Sequence, residues 1–144
     1  MRRFIFLLLI LLPFYSNAQE MAVKKTIETF FEAFHAKDSL QMKSVCHQDL
    51  LLQSILEGAK GTKLITEDQK DFYKAITSFP KDLKFEERLL EYKIQWDGAM
   101  AHAWTPYMFL INGKVVHTGV NSFTLLLENG QWKIVHIIDT RRKK

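Results

Sequence analysis

The stretch FEERLLEYKIQWDGAMAHAWTPYMFLINGKVVHTGVNSFTLLLENGQWKIVHIIDT, residues 85–140, decides the fold. Three turn dipeptides punctuate it: Asp97-Gly98, Asn112-Gly113 and Asn129-Gly130. Each lies between runs rich in β-branched and aromatic residues, the sequence signature of a two-residue hairpin. The spacing predicts a four-strand antiparallel meander. Consecutive hairpins also set the register, and register decides which side chains share a face.

Outward from the meander the periodicity changes from two to 3.6. Val23, Ile27, Phe30, Phe31 and Phe34 recur at helical spacing and predict an amphipathic helix over Ala22–Ala36. Asp38 or Ser39 can cap a short second helix ending at Val45. His47-Gln48-Asp49 reads as a turn, Leu50–Ser54 as a short strand and Gly58–Lys63 as a loop. Thr66-Glu67-Asp68-Gln69 has the form of a capping box, opening a third helix that carries Phe72, Tyr73, Ile76 and Phe79 and stops at Pro80. Helices segregated from an antiparallel sheet define an α+β domain: a curved four-strand meander plus a short strand, packed as a cone on N-terminal helices.

The chain has 144 residues. Its start reads as a secretory signal over residues 1–18. Arg2 and Arg3 are basic, Phe4–Leu12 is apolar, and Ser16-Asn17-Ala18 offers small residues for cleavage after Ala18. The apolar run falls well short of the ~20 residues that span a bilayer, so no stable membrane insertion is expected after cleavage. Residues 19–144 then form one domain, secreted or periplasmic. The lone Cys46 cannot form an internal disulfide and reads as a small buried hydrophobe.

The charge is confined to the ends. Taking Arg2, Arg3 and the tail Arg141-Arg142-Lys143-Lys144 from the 20 Lys+Arg leaves 14 against 16 Asp+Glu, a net of −2. That body lacks the basic stripe of a nucleic-acid groove. The tail itself reads as a solvated terminus.

Asp49-Leu50, Gly113-Lys114, His117-Thr118-Gly119-Val120-Asn121-Ser122-Phe123-Thr124-Leu125 and Gly130-Gln131-Trp132-Lys133-Ile134, ending in Asp139-Thr140-Arg141-Arg142, carry a resemblance. The chain resembles the nuclear transport factor 2-like superfamily, in a secreted bacterial, lumazine-binding-like branch. The resemblance covers the mature chain and implies the cone fold. It does not imply a reaction, since isomerases, dehydratases, hydrolases and non-enzymes share this scaffold. Where that branch commonly has Asp, this chain has Asn121, which speaks against acid–base chemistry there.

Counting outward from the three turns places Met100, His102, Trp104, His117, Gly119, Asn121, Phe123, Leu125, Trp132, Ile134, His136 and Ile138 on one face. The other face then holds Tyr92, Ile94, Trp96, Ala101, Ala103, Thr105, Ser122, Ile137 and Asp139. Pro106 could shift the parity of the residues after it. The bulkier, His-bearing face is expected to turn inward, and the flatter one to form a homodimer interface. His102, Trp104, His117, Asn121, Phe123 and His136 are the expected ligand-pocket residues. His102 and His136 would flank Phe123 across about 10 Å, too far apart to share a metal, so no metal and no cofactor is expected. Ser122 on the opposite face excludes a Ser–His pair, and the inner face would carry no carboxylate pair. Asp139 is expected outside, in a salt bridge near the tail. The expected function is binding of a small apolar or aromatic molecule without catalysis. One alternative is an isomerase- or dehydratase-type enzyme with a single His as general base. Another is a non-catalytic dimeric interaction module with a filled cone.

Overall fold

The computed structural model describes residues 5–143, with side chains from Asn17 onward. Arg2, Arg3 and the side chains of the expected leader's apolar run lie outside the described residues. Both Asn-Gly pairs close their turns: Asn112 and Gly113 have φ of 50° and 77°, Asn129 and Gly130 of 51° and 76°. Positive φ at both central residues is the type I′ geometry that follows strand twist. The first hairpin closes one residue later than expected. Asp97 still pairs with Met100, so Gly98-Ala99 makes the turn.

The element order is α1 (Ile5–Ala36), α2 (Ser39–Val45), β1 (Cys46–Gly58), β2 (Gly61–Glu67), α3 (Gln69–Ser78), β3 (Phe85–Leu89), β4 (Lys93–Asp97), β5 (Met100–Ile111), β6 (Lys114–Glu128) and β7 (Gln131–Lys143). The sheet runs β2-β1-β7-β6-β5-β3, with β4 beside β3 on the same edge of β5. β1 and β7 are parallel; every other pair is antiparallel. The α+β class stands, with more sheet than expected. β1 is longer than Leu50–Ser54. The segment expected as a loop after Gly58 turns straight back as β2, whose residues are all exposed and so show no apolar alternation. The basic tail is no loose terminus either: Arg141, Arg142 and Lys143 are the last residues of β7. Among the described residues no helix is long and apolar enough to cross a membrane.

Two bulges correct the expected faces. β5 and β6 pair Leu110 with Val115 but Phe109 with His117, so Val116 is the extra residue. β6 and β7 pair Leu125 with Ile134 but Thr124 with His136, so Val135 is extra. Each bulge flips the parity beyond it. The true inner face therefore combines Ala101, Ala103, Thr105 and Tyr107 of β5, Gly119, Asn121, Phe123 and Leu125 of β6, and Trp132, Ile134, Ile137 and Asp139 of β7. Tyr92, Ile94 and Trp96 also pack inward. Pro106 leaves the β5–β6 register unbroken, paired with Val120. The irregularity sits on its other side. There β3 ends and β4 begins, and Leu90 N donates to Pro106 O at 2.8 Å.

The apolar stripe of α1 meets this face. Val23 and Ile27 are fully buried, and Phe31 packs edge-on against Phe123 at 6.0 Å between centroids. Phe30 stacks on Phe72 of α3 at 6.5 Å, and Phe34 meets Phe85 of β3 at 5.0 Å. Cys46 is free and buried, and burial pushes its thiol up to about 11. α2 and α3 start on Asp. Asp38 accepts from Leu40 N and Gln41 N, both at 3.0 Å. Asp68, not Thr66, caps α3, because Thr66 belongs to β2. Asp38→Ala leaves two helix N–H groups of α2 without their acceptor. It should lower stability by about 1 kcal/mol, read as a reduced urea midpoint with unchanged slope.

Candidate functional site

The aromatic stripe does not fill the space between helices and sheet completely. A cavity of about 90 Å³ remains, walled by Phe30, Phe31, Phe34 and Phe72 on the helix side. Its sheet side is polar: Ser54, Glu67, Glu87, Asn121, Asp139 and Arg141, with Leu52 and Ile137 between them. At this volume the cavity holds the head of a ligand or about three waters, against the ~300–1,000 Å³ of a pocket that engulfs a whole one.

Register explains the polar cluster. Asn121 pairs with Thr105 on one side and Asp139 on the other, and Asp139 pairs with Ser54. Opposite residues of a ladder share a face, so the row crosses the inner wall. Asp139 is buried and acts as an acceptor throughout. Tyr107 Oη donates to its Oδ2 at 2.9 Å, Arg141 Nε to the same oxygen at 2.8 Å, and Ser54 Oγ to Oδ1. Burial, then the Asp139 carboxylate, pushes the Tyr107 phenol upward, so it remains a donor. Room for that phenol comes from Gly119. A Cβ there would lie 1.7 Å from Thr140 O and 2.9 Å from a Tyr107 ring carbon.

Glu87 has the contrasting environment. Among the described residues its side chain accepts one hydrogen bond, from Asn121 Nδ2 at 2.7 Å to Oε1. Burial pushes its carboxyl up to about 7, only partly opposed by the Asn121 bond. The backbone beneath it is anchored to α1, since Glu87 N donates to His35 Nε2 at 2.9 Å. Asn121 thus stands between two carboxyls, bonded to Glu87 and paired along the ladder with Asp139. One is held by three donors, and the other exchanges its proton near neutral pH. Separated environments of this kind distinguish an acceptor from a proton donor or base.

Of the expected pocket residues, the structure brings only Asn121 to the cavity. Phe123 lies in the same inner face but is fully buried core. His102, Trp104 and His136 point outward, because the bulges place His102, Thr124 and His136 in one outer row. His102 Nε2 sits 3.0 Å from Ser122 Oγ, and His136 Nε2 sits 3.1 Å from Gln53 Oε1. The opposed faces expected for Ser122 and His102 are therefore corrected. His117 is on the inner face beyond the cavity, its ring stacked on Phe109 at 4.8 Å. The expected exterior position of Asp139 is overturned by the Val135 bulge, though its ion pair with Arg141 exists. Glu87 was missed, and it carried a signal. It shares strand parity with Phe85 and Leu89, a charged residue in an apolar row.

The three helices and wrapped seven-strand sheet, with a polar cluster set in an aromatic cleft, define a cystatin-like, NTF2-like α+β fold. Within it, the chain belongs to the family described as "Putative lumazine-binding", whose model matches residues 18–137. No curated protein matches the chain. Among solved structures it is similar to the β subunit of a "putative aromatic-ring-hydroxylating dioxygenase" from Novosphingobium aromaticivorans. The identity is 12%, with 90% of this chain and 93% of that chain covered, and the TM-score is 0.72. A conserved protein from Planctomyces limnophilus matches at 15% identity, 89% and 99% coverage and TM-score 0.71. A "putative dehydratase from the NTF2-like family" of Streptomyces avermitilis matches at 11% identity, 90% and 99% coverage and TM-score 0.67.

Proposed function

We propose that this is a small-molecule-binding protein whose ligand puts a hydrogen-bonding head into the cavity, between Glu87 and Asn121, and a planar or apolar body against the phenylalanine wall. One observation carries this reading. Glu87 and Asn121, hydrogen-bonded at 2.7 Å on the polar sheet wall, face four phenylalanine rings across one cavity. A protonated Glu87 donates to a ligand carbonyl or ring nitrogen, and Asn121 offers a second polar contact.

The elevated Glu87 carboxyl favours a second reading as well, proton transfer to or from the bound ligand. In it Glu87 replaces the histidine expected as base, because neither His102 nor His136 reaches the cavity. The signal-like start supports secretion. The outer sheet face, with Met100 57% and Trp104 43% exposed, supports a homodimer through that face rather than through Tyr92 and Trp96.

Native mass spectrometry of the protein purified from its own host tests these readings together. A dimer carrying an added small-molecule mass is expected. Asn121→Ala should weaken retention of that molecule by about tenfold or more. An empty protein, with no library compound shifting the amide resonances of Phe30, Asn121 or Ile137, would remove the binding reading. A monomer at micromolar concentration would remove the dimer.

A further inference from the structure

The basic tail acquires a role once it is seen to be strand. Leu56 pairs with Lys63 on one side and with Arg141 on the other, and His117 pairs with Lys143. Ladder partners share a face, so Lys63, Arg141, Lys143 and His117 all turn to the concave side. The β1–β2 hairpin, with Lys60 at its tip, overhangs them. Together they line an open groove of about 840 Å³. Arg141 borders both this groove and the inner cavity.

The charge in the groove is one-sided. Its single carboxylate among the described residues, Glu57, is held by Arg142 at 3.2 Å. Arg141 is tied to Asp139, but Lys60, Lys63 and Lys143 form no ion pair among the described residues. Three ammonium groups therefore converge on one concavity from two elements, the hairpin and the end of β7. Backbone ladders fix both elements, which distinguishes this from a flexible charged tail. The His117 ring, flat against Phe109, and Leu56 add an apolar flank. Converging cations beside a flat apolar surface match a multiply charged anion carried on an aromatic or aliphatic body.

We propose that the groove beneath the β1–β2 hairpin is an anion-binding site for a phosphate-bearing molecule, either a soluble phosphomonoester or an anionic lipid headgroup. It shares Arg141 with the cavity but does not require a ligand there.

The test uses the full chain and phenyl phosphate as probe, followed by amide resonances at several salt concentrations. Leu56, His117 and Lys143 should shift saturably, with affinity falling as salt rises, and phenol should not reproduce the shifts. Lys63→Glu combined with Lys143→Glu should weaken binding by about tenfold or more, with the melting temperature showing that the double variant is folded. Co-sedimentation with phosphatidylcholine vesicles, with and without phosphatidylglycerol, separates the two sources. Phosphatidylglycerol-dependent binding lost in the double variant assigns the headgroup. Phenyl phosphate binding without vesicle binding assigns the soluble phosphate. Binding to neither probe overturns the proposal, as does binding that the charge reversals leave unchanged.

Discussion

Gly119→Ala should lower the stability of the domain by about 3 kcal/mol or more, a fall in melting temperature of roughly 10 °C. The added methyl would sit 1.7 Å from a backbone carbonyl of β7 and 2.9 Å from the Tyr107 ring. Neither neighbour yields cheaply. The carbonyl belongs to a strand paired on both sides, and the ring is fully packed, with its hydroxyl bonded to Asp139. Either β6 and β7 separate locally or the Tyr107–Asp139 bond breaks and leaves a buried carboxylate short of a donor. Thermal unfolding of the variant measures the effect. A change under 1 kcal/mol would mean the strands slide apart easily, contrary to the packing described.

Glu87→Gln should do the reverse at alkaline pH, raising stability at pH 8 by up to about 3 kcal/mol. The Glu87 carboxyl moves from an ordinary 4.5 to about 7 on folding, through burial. The folded state thus holds this proton more tightly than the unfolded chain. The contribution is fully present below about pH 4.5 and is lost as pH rises through 7. Glutamine imitates the protonated acid, keeps an oxygen for Asn121 and carries no charge to desolvate. His35 and His117, both lowered mainly by burial, act in the opposite sense. Their contribution is present above the ordinary histidine value and is lost as pH falls through their folded values. The difference between wild type and variant isolates Glu87. Urea denaturation from pH 5 to 8 should show that difference growing with pH, and a constant difference would place the carboxylate in water. A gain in stability together with a loss of ligand would mark Glu87 as retained for function at the expense of the fold.

Most of the architecture is legible in the chain because it rests on local signals. Asn112-Gly113 and Asn129-Gly130 need positive φ, Pro80 cannot continue a helix, and Phe30, Phe31 and Phe34 recur at 3.6. Of the polar site, Asn121 was read and Glu87 could have been, from its place in an apolar row, while Tyr107, Asp139 and Arg141 depend on two inserted valines. Val116 and Val135 sit inside β-favouring runs, and no residue type marks them as bulges. Counting through them as regular strand puts His102 and His136 inside and Asp139 outside. Both errors have the same cause, one residue of slip in a period of two. β2 was missed for another reason: with both faces wet, Thr62–Glu67 shows no alternation to read.

The parallel pairing of β1 with β7 bears on when the site comes into being. Ser54 and Asp139 are 85 residues apart, as are Glu57 and Arg142. Contacts this distant in sequence close a large loop, and loop closure of this kind slows folding. The hairpins of β4 to β7 can form from neighbouring residues. The Asp139 cluster and the basic groove cannot, since each needs β1 laid against the final strand. The hairpins can thus assemble first, and the Asp139 cluster and the basic groove are completed only when β1 docks on β7.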